Sequence, residues 1–242
     1  MTLFLTSSPG GFMRDGEKQI PCGLDSRNGF VDRLRARWRE NARALFVTAF
    51  PDGFLGNDEN RDIFQEALRL SGLTVSKMDV CDNRNPACSP EQYDVVILGG
   101  GHVPTQNRFF EKIGLKQAME RFDGLVIGIS AGTMNSAGTV YAQPELEGEA
   151  ADPDYRRFLP GLGLTDIMVL PHYQTLREAV LDGLRVVEDI TLPDSMGRKI
   201  YALVDGSYIL AEEGASRLYG EGYLAEDGVI RQICQEGEEL LL

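Results

Sequence analysis

The chain has two histidines, His102 and His172, and four cysteines, Cys22, Cys81, Cys88 and Cys234, none of them in a CxxC spacing. A structural zinc site draws on closely spaced Cys and His ligands, so no metal is expected. Basic residues are also in short supply. Lys and Arg number 24 against 37 Asp and Glu, a net charge of −13. Binding to nucleic acid needs clustered Lys and Arg against phosphate, so no such partner is expected, and the acidic surface reads as a solubility feature. The apolar runs fall far short of the ~20 residues that cross a bilayer, which argues against a membrane role. The N-terminus, MTLFLTSSPGGFMRDG, has no basic stretch ahead of Leu3-Phe4-Leu5. That segment reads as a first strand and not as a signal peptide. Scattered thiols and no secretion signal point to the cytoplasm. Internal repeats and low-complexity linkers are absent too.

Against these absences stands an ordinary globular composition, 43% hydrophobic and 25% charged over 242 residues, which suits a single α/β domain spanning 1–242 with a sizeable core. Strands are expected over 44–49, 73–78, 93–98 and 125–129. Helices are expected over 60–71, where apolar residues recur at helical spacing until Gly72, and over 109–122. Strands alternating with helices predict a mostly parallel sheet covered by helices on both faces. The last third differs. A strand at 168–170 precedes Pro171-His172, and a helix is expected over 176–188. Short strands at 199–203, 207–211, 217–223 and 228–233 lie between Asp-Gly and Glu-Gly turn signals. They predict an antiparallel extension on one edge of the sheet.

The chemistry concentrates in GLVIGISAGTMNSAGTV, residues 124–140. A buried strand runs into Gly128-Ile129-Ser130-Ala131-Gly132 and then a helix-like segment. That is the setting of a nucleophile elbow, a tight turn with small residues on both sides of an exposed serine. The pentapeptide alone reads equally well as a glycine turn with an incidental serine. A serine nucleophile needs a base, and both histidines follow strands whose ends share a rim with Ser130. His172, in MVLPHYQ, is the better base because Pro171 stiffens its approach. His102, in GGGHVPTQN, is expected to line the pocket with Gly101 and touch substrate. A carboxylate must fix the imidazole tautomer, and the loop YAQPELEGEAADPDY offers Glu145, Glu147, Glu149, Asp152 and Asp154; spacing does not choose among them. One oxyanion donor is expected at the N–H of Ala131, the residue after the nucleophile, and the other in Gly99-Gly100-Gly101, where glycines admit close backbone approach. The triplet lacks GxGxxG spacing and a P-loop lysine, which sets aside a dinucleotide or phosphate loop.

The ordered segments VVILGGGHVPTQNRFF, LVIGISAGTMNSA and VLPHY, with the later VDGSYIL, resemble the dipeptidase E (aspartyl dipeptidase) family and its relative cyanophycinase over about residues 45–210. The resemblance implies a class I glutamine amidotransferase-like (flavodoxin-like) fold and a serine peptidase or amidohydrolase without a cofactor, acting on a small peptide or amide. By position it makes Ser130 the nucleophile, His172 the base, and Gly100 and Ala131 the oxyanion donors. It puts the orienting acid at Glu145, with Glu147 and Glu149 as alternatives from the cyanophycinase branch. Residues 10–39 form an N-terminal segment the family pattern lacks. The stretch after His172 is short, with Arg177 as the remnant of a substrate-binding segment, so a preference for aspartate does not carry over. A glutamine amidotransferase would need a cysteine at the elbow, where this chain has Ser130. A non-catalytic or amidotransferase-related binding protein with the same fold is the alternative. A homodimer is the commonest assembly to expect.

Overall fold

The computed structural model describes residues 1–16, 18–87 and 89–242. The chain opens with β1 (Thr2–Thr6), the hairpin of β2 (Gly10–Asp15) and β3 (Lys18–Leu24), and α1 (Phe30–Arg35). There follow β4 (Ala42–Val47), α2 (Phe54–Leu70), β5 (Val75–Cys81), β6 (Val95–Leu98), α3 (Val103–Lys112), α4 (Leu115–Met119), β7 (Leu125–Ile129) and α5 (Ala131–Asn135). Five of these strands form a parallel array in the order β1-β7-β6-β4-β5.

Burial explains why these strands read as continuous apolar runs. Phe4, Ala44, Phe46, Val95, Ile97, Leu125 and Ile127 pack on one face, with Phe30 and Leu34 of α1 and Phe64 and Leu68 of α2. The alternate residues Leu3, Leu5, Leu45, Val47, Val96, Leu98 and Val126 pack on the other, with Phe109 and Phe110 of α3 and Leu115 of α4. Both faces are covered, so a polar alternation has nowhere to appear. The segment before β4 joins the first layer through Leu24 of β3 and Phe30, Val31 and Leu34 of α1, which belong to that core.

The second half contains β8 (Thr139–Tyr141), β9 (Phe158–Pro160), β10 (Met168–Leu170), α6 (Tyr173–Leu176), the short strands β11 (Val180–Leu181) and β12 (Leu184–Arg185), a π-helical turn (Val186–Thr191) and α7 (Leu192–Asp194). It ends with β13 (Lys199–Leu203), β14 (Tyr208–Glu212), β15 (Ala215–Tyr219), β16 (Gly222–Glu226), β17 (Val229–Cys234) and β18 (Glu239–Leu241). The antiparallel extension is present, and it divides. Strands β14, β15 and β18 continue the large sheet beyond β1, giving eight strands, while β10, β13, β16 and β17 form a second sheet. In that second sheet β10 and β13 are parallel neighbours, with Leu170 opposite Ala202.

Three expected elements differ. The helix expected over 109–122 is two helices, broken at Gly114 with φ 64°. The segment 176–188 is not a helix. After α6 it turns into the β11–β12 hairpin, with Asp182 (φ 53°) and Gly183 (φ 81°) at its tip. The strand expected over 217–223 is split by Gly220 at φ 90°, where a Cβ would lie 2.2 Å from Asn28 Nδ2. Of the cysteines, Cys22 and Cys234 carry free thiols and Cys81 does not, so the picture of scattered free thiols holds for only part of the set. Among the described residues no helix is long and apolar enough to cross a membrane, and no group of three or more His, Cys, Asp or Glu is arranged to hold a metal ion.

Candidate active site

Ser130 follows directly on the end of β7, at φ 50° and ψ −110°. A non-glycine residue held there is strained by about 1–3 kcal/mol and persists only where its surroundings over-determine it. Two glycines supply that constraint. A Cβ on Gly128 would lie 2.8 Å from Thr133 Cα, and one on Gly132 would lie 2.1 Å from Leu98 O. The turn therefore packs backbone against backbone, and the Ser130 N–H is tied to Thr6 O at 3.2 Å. The G-x-S-x-G spacing is thus the steric condition for closing this turn.

His172 lies just beyond the end of β10, also with positive φ, 57°. Its Nε2 is 2.9 Å from Ser130 Oγ, and its Nδ1 is 2.8 Å from Asp205 Oδ1. Asp205 lies beyond the end of β13. Because β10 and β13 run parallel side by side, the residues that leave their carboxyl ends emerge together. The carboxylate on His172 is therefore Asp205 and not Glu145. The acidic loop 145–154 comes off β8, and none of its carboxylates hydrogen-bonds a ring nitrogen of His172. Asp205 was legible in the sequence only as the Asp-Gly turn signal of VDGSYIL, where it reads as punctuation.

A second residue that motif reading passed over is Ser7, fully buried just beyond the end of β1. The His172 backbone N–H donates to Ser7 Oγ at 2.8 Å, and Ser7 Oγ–H donates to Asp205 Oδ1 at 2.7 Å. Ser7 thereby fixes both the strained backbone of His172 and the acid. The Asp205 N–H donates to Gln174 Oε1 at 3.1 Å. Burial raises the Asp205 carboxyl, but the hydrogen bond and charge of His172 together with Ser7 outweigh it and hold the group below the ordinary carboxylate range. An ionised Asp205 accepts the Nδ1–H of His172. That leaves Nε2 as an acceptor for the Ser130 hydroxyl, the tautomer a general base requires.

The three groups open onto a recess of about 690 Å³. Phe50, Met134, Leu146 and Leu176 give it apolar walls; Gly101, His102, Thr105, Gln143, Glu145 and Thr175 also line it. Gly100 stands beside Ser130, since a Cβ there would be 3.5 Å from Ser130 Cβ. Ala131 begins α5 and is fully buried. Gly101 has φ 148°, and a Cβ on it would lie 2.6 Å from Phe50 Cε2, so only glycine fits. His102 is engaged at both nitrogens, with Thr105 Oγ1 and Glu149 Oε1 each at 2.8 Å. Arg177 does not line the recess. Its guanidinium is half exposed and faces Glu178 at 3.6 Å. Thr175 and Leu176 take the recess side of α6, and the next residue points elsewhere.

Glu145 does line the recess. The residue is exposed to solvent, yet protein surrounds its carboxyl. That burial and the nearby Glu149 push it up to about 7, against the pull of His172. A larger hollow of about 850 Å³ lies at the opposite ends of the strands. Its Arg37 and Arg39 are neutralised by Glu212 and Asp94, and it holds no part of the Ser130 constellation.

The family model described as Peptidase family S51 matches residues 30–219. No curated protein matches the chain. Among solved structures, a peptidase from an acI-B1 Actinobacterium superposes with a TM-score of 0.66 at 14% identity, covering 100% of this chain and 96% of that one. A peptidase E protein from Listeria monocytogenes EGD-e gives 0.56 at 16% identity, covering 96% and 98%. At such identities the likeness speaks for the fold, which these structures share with the chain along nearly its whole length.

Proposed function

Since the chain belongs to peptidase family S51, the dipeptidase E family, and is a serine-type peptidase, we propose that it cleaves a small peptide or amide through an acyl intermediate on Ser130. The observation that carries this is the continuous line from Ser130 Oγ to His172 Nε2 and from His172 Nδ1 to Asp205, at 2.9 Å and 2.8 Å. Ser130 Oγ attacks the scissile carbonyl carbon as its proton passes to His172 Nε2. Asp205 holds the imidazole in register and stabilises the imidazolium. The oxyanion is received by the N–H groups of Ala131 and Gly100. As the tetrahedral intermediate collapses, His172 returns the proton to the leaving amine. Water then repeats the sequence on the acyl-enzyme and frees Ser130. No step calls for a cofactor. The complete relay favours this over a non-catalytic binding role.

The test is a fluorophosphonate, which phosphonylates an activated serine. Wild-type protein is expected to gain one phosphonyl group by intact mass, placed on Ser130 by peptide mapping. Ser130→Ala is expected to gain none while melting near the wild-type temperature. A wild-type protein that stays unlabelled, or a Ser130→Ala variant that keeps turnover, sinks the assignment.

A further inference from the structure

With its hydrogen-bonded relay complete without Glu145, the recess holds a carboxylate that the proposed chemistry does not use. The Glu145 side chain makes no hydrogen bond or ion pair with any described residue, although its backbone is held firmly. Glu149 Oε2 accepts the N–H groups of Glu145 and Leu146 at 2.9 and 3.0 Å, and its Oε1 meets His102 Nε2 at 2.8 Å. On the outer side of the loop, Gly148 and Ala150 donate their N–H groups to Asp182, at the tip of the β11–β12 hairpin, at 2.8 and 2.9 Å. Pro144, buried, restricts the chain just before Glu145. A loop tied from both sides thus presents one carboxylate to the cavity that contains Ser130.

The rest of the lining gives this carboxylate its meaning. Among the described residues that line the recess there is no lysine and no arginine. Arg177, expected to bind substrate, lies outside it. Glu149 is spent on His102 and on two backbone amides. An unpaired carboxylate in a crowded, largely apolar cavity is left partly desolvated and without compensation, and a cation brought by a ligand supplies the missing partner. An acidic group would meet Glu145 as a like charge, which a binding site uses to reject a ligand.

Resting on the serine-peptidase reading above, we propose that Glu145 is a specificity-determining residue that receives a positively charged group of the substrate next to the scissile bond, so that the protein selects cationic peptides over acidic ones. The cation is an ammonium or guanidinium, supplied by a free peptide N-terminus or by a Lys or Arg side chain.

The test uses a matched panel of short peptides with Lys, Arg, Gln, Met, Asp or Glu on either side of the cleaved bond, each with a free and an acetylated N-terminus. Binding is read as kcat/KM and, for peptides not turned over, as protection of Ser130 from the fluorophosphonate. A charged hydrogen bond is worth roughly 10- to 100-fold, so wild-type protein is expected to favour cationic over neutral peptides by about that ratio and acidic peptides least. Glu145→Gln is expected to erase the preference, mainly through KM, with the loss falling chiefly on the cationic peptides. Glu145→Lys is expected to turn the preference toward Asp and Glu. Loss of selectivity on acetylation assigns the cation to the N-terminus; selectivity retained by acetylated Lys and Arg peptides assigns it to the side chain. Indifference to charge in the wild type, a preference for acidic peptides, or an equal loss on every peptide in Glu145→Gln overturns the proposal while labelling stands. Failure of wild-type labelling overturns the peptidase reading itself, and this inference with it.

Discussion

Asp205 holds the imidazole of His172 on the side away from Ser130, and Ser7 holds the His172 backbone and the Asp205 carboxylate. Replacing the carboxylate with an amide keeps the shape but removes the preference for the Nδ1–H tautomer. Asp205→Asn is therefore expected to lower kcat by about 10⁴-fold with KM nearly unchanged. Ser7→Ala removes one acceptor from the His172 backbone and one donor from Asp205. A loss of that size corresponds to about tenfold in kcat. Steady-state kinetics on any accepted peptide separates the two, and near-wild-type turnover in Asp205→Asn would overturn Asp205 as the orienting acid. At this scale the sequence was legible where a residue carries its own local signal. Ser130 sits in its pentapeptide and His172 follows a strand with a stiffening proline. Asp205 and Ser7 carry no such mark. Each lies just past the end of a strand among ordinary turn residues, and their roles come from which strands lie side by side. The acidic loop offers many carboxylates between Ser130 and His172 in the sequence. Its Glu145 reaches the same recess but performs no hydrogen bonding to the histidine.

At the scale of elements, close approach decides which glycines matter. Gly132 brings α5 against the end of β6, where a methyl group would fall 2.1 Å from Leu98 O. Gly132→Ala must push the helix away, and a loss of about 1–3 kcal/mol or more is expected, seen as a lower melting temperature and weakened labelling of Ser130. Gly56, inside α2, is the contrast. A Cβ there meets nothing within 4 Å, so Gly56→Ala is expected to stabilise the protein by about 0.5–1 kcal/mol through helix propensity. If both substitutions behaved alike, packing at the elbow would not be the reason for its glycines. The parallel strands were legible because burial on both faces writes a run of Val, Ile and Leu. The stretch 176–188 misled because its apolar spacing fits a helix. The tip at Asp182 and Gly183 takes positive φ at two successive residues, and that breaks the helix in favour of a hairpin.

At the scale of the whole molecule, the candidate site is divided between two sheets. Ser130 and Gly100 belong to the large one. His172 and Asp205 stand on the β10–β13 edge of the small one, and Ser7 reaches across from β1. Sequence order places all these residues on strand ends, but it does not disclose that the late strands split into two layers. Activity therefore depends on how the layers are docked as well as on their internal order. With rising urea, turnover is expected to fall before the far-ultraviolet circular dichroism does, because a small slip between layers separates His172 Nε2 from Ser130 Oγ while leaving most hydrogen-bonded backbone intact. Superimposable curves would argue for one rigid unit. A phosphonyl group bonded to Ser130 and resting against His172 would then serve as a strut between two slabs, and the labelled protein should withstand more urea than the free one.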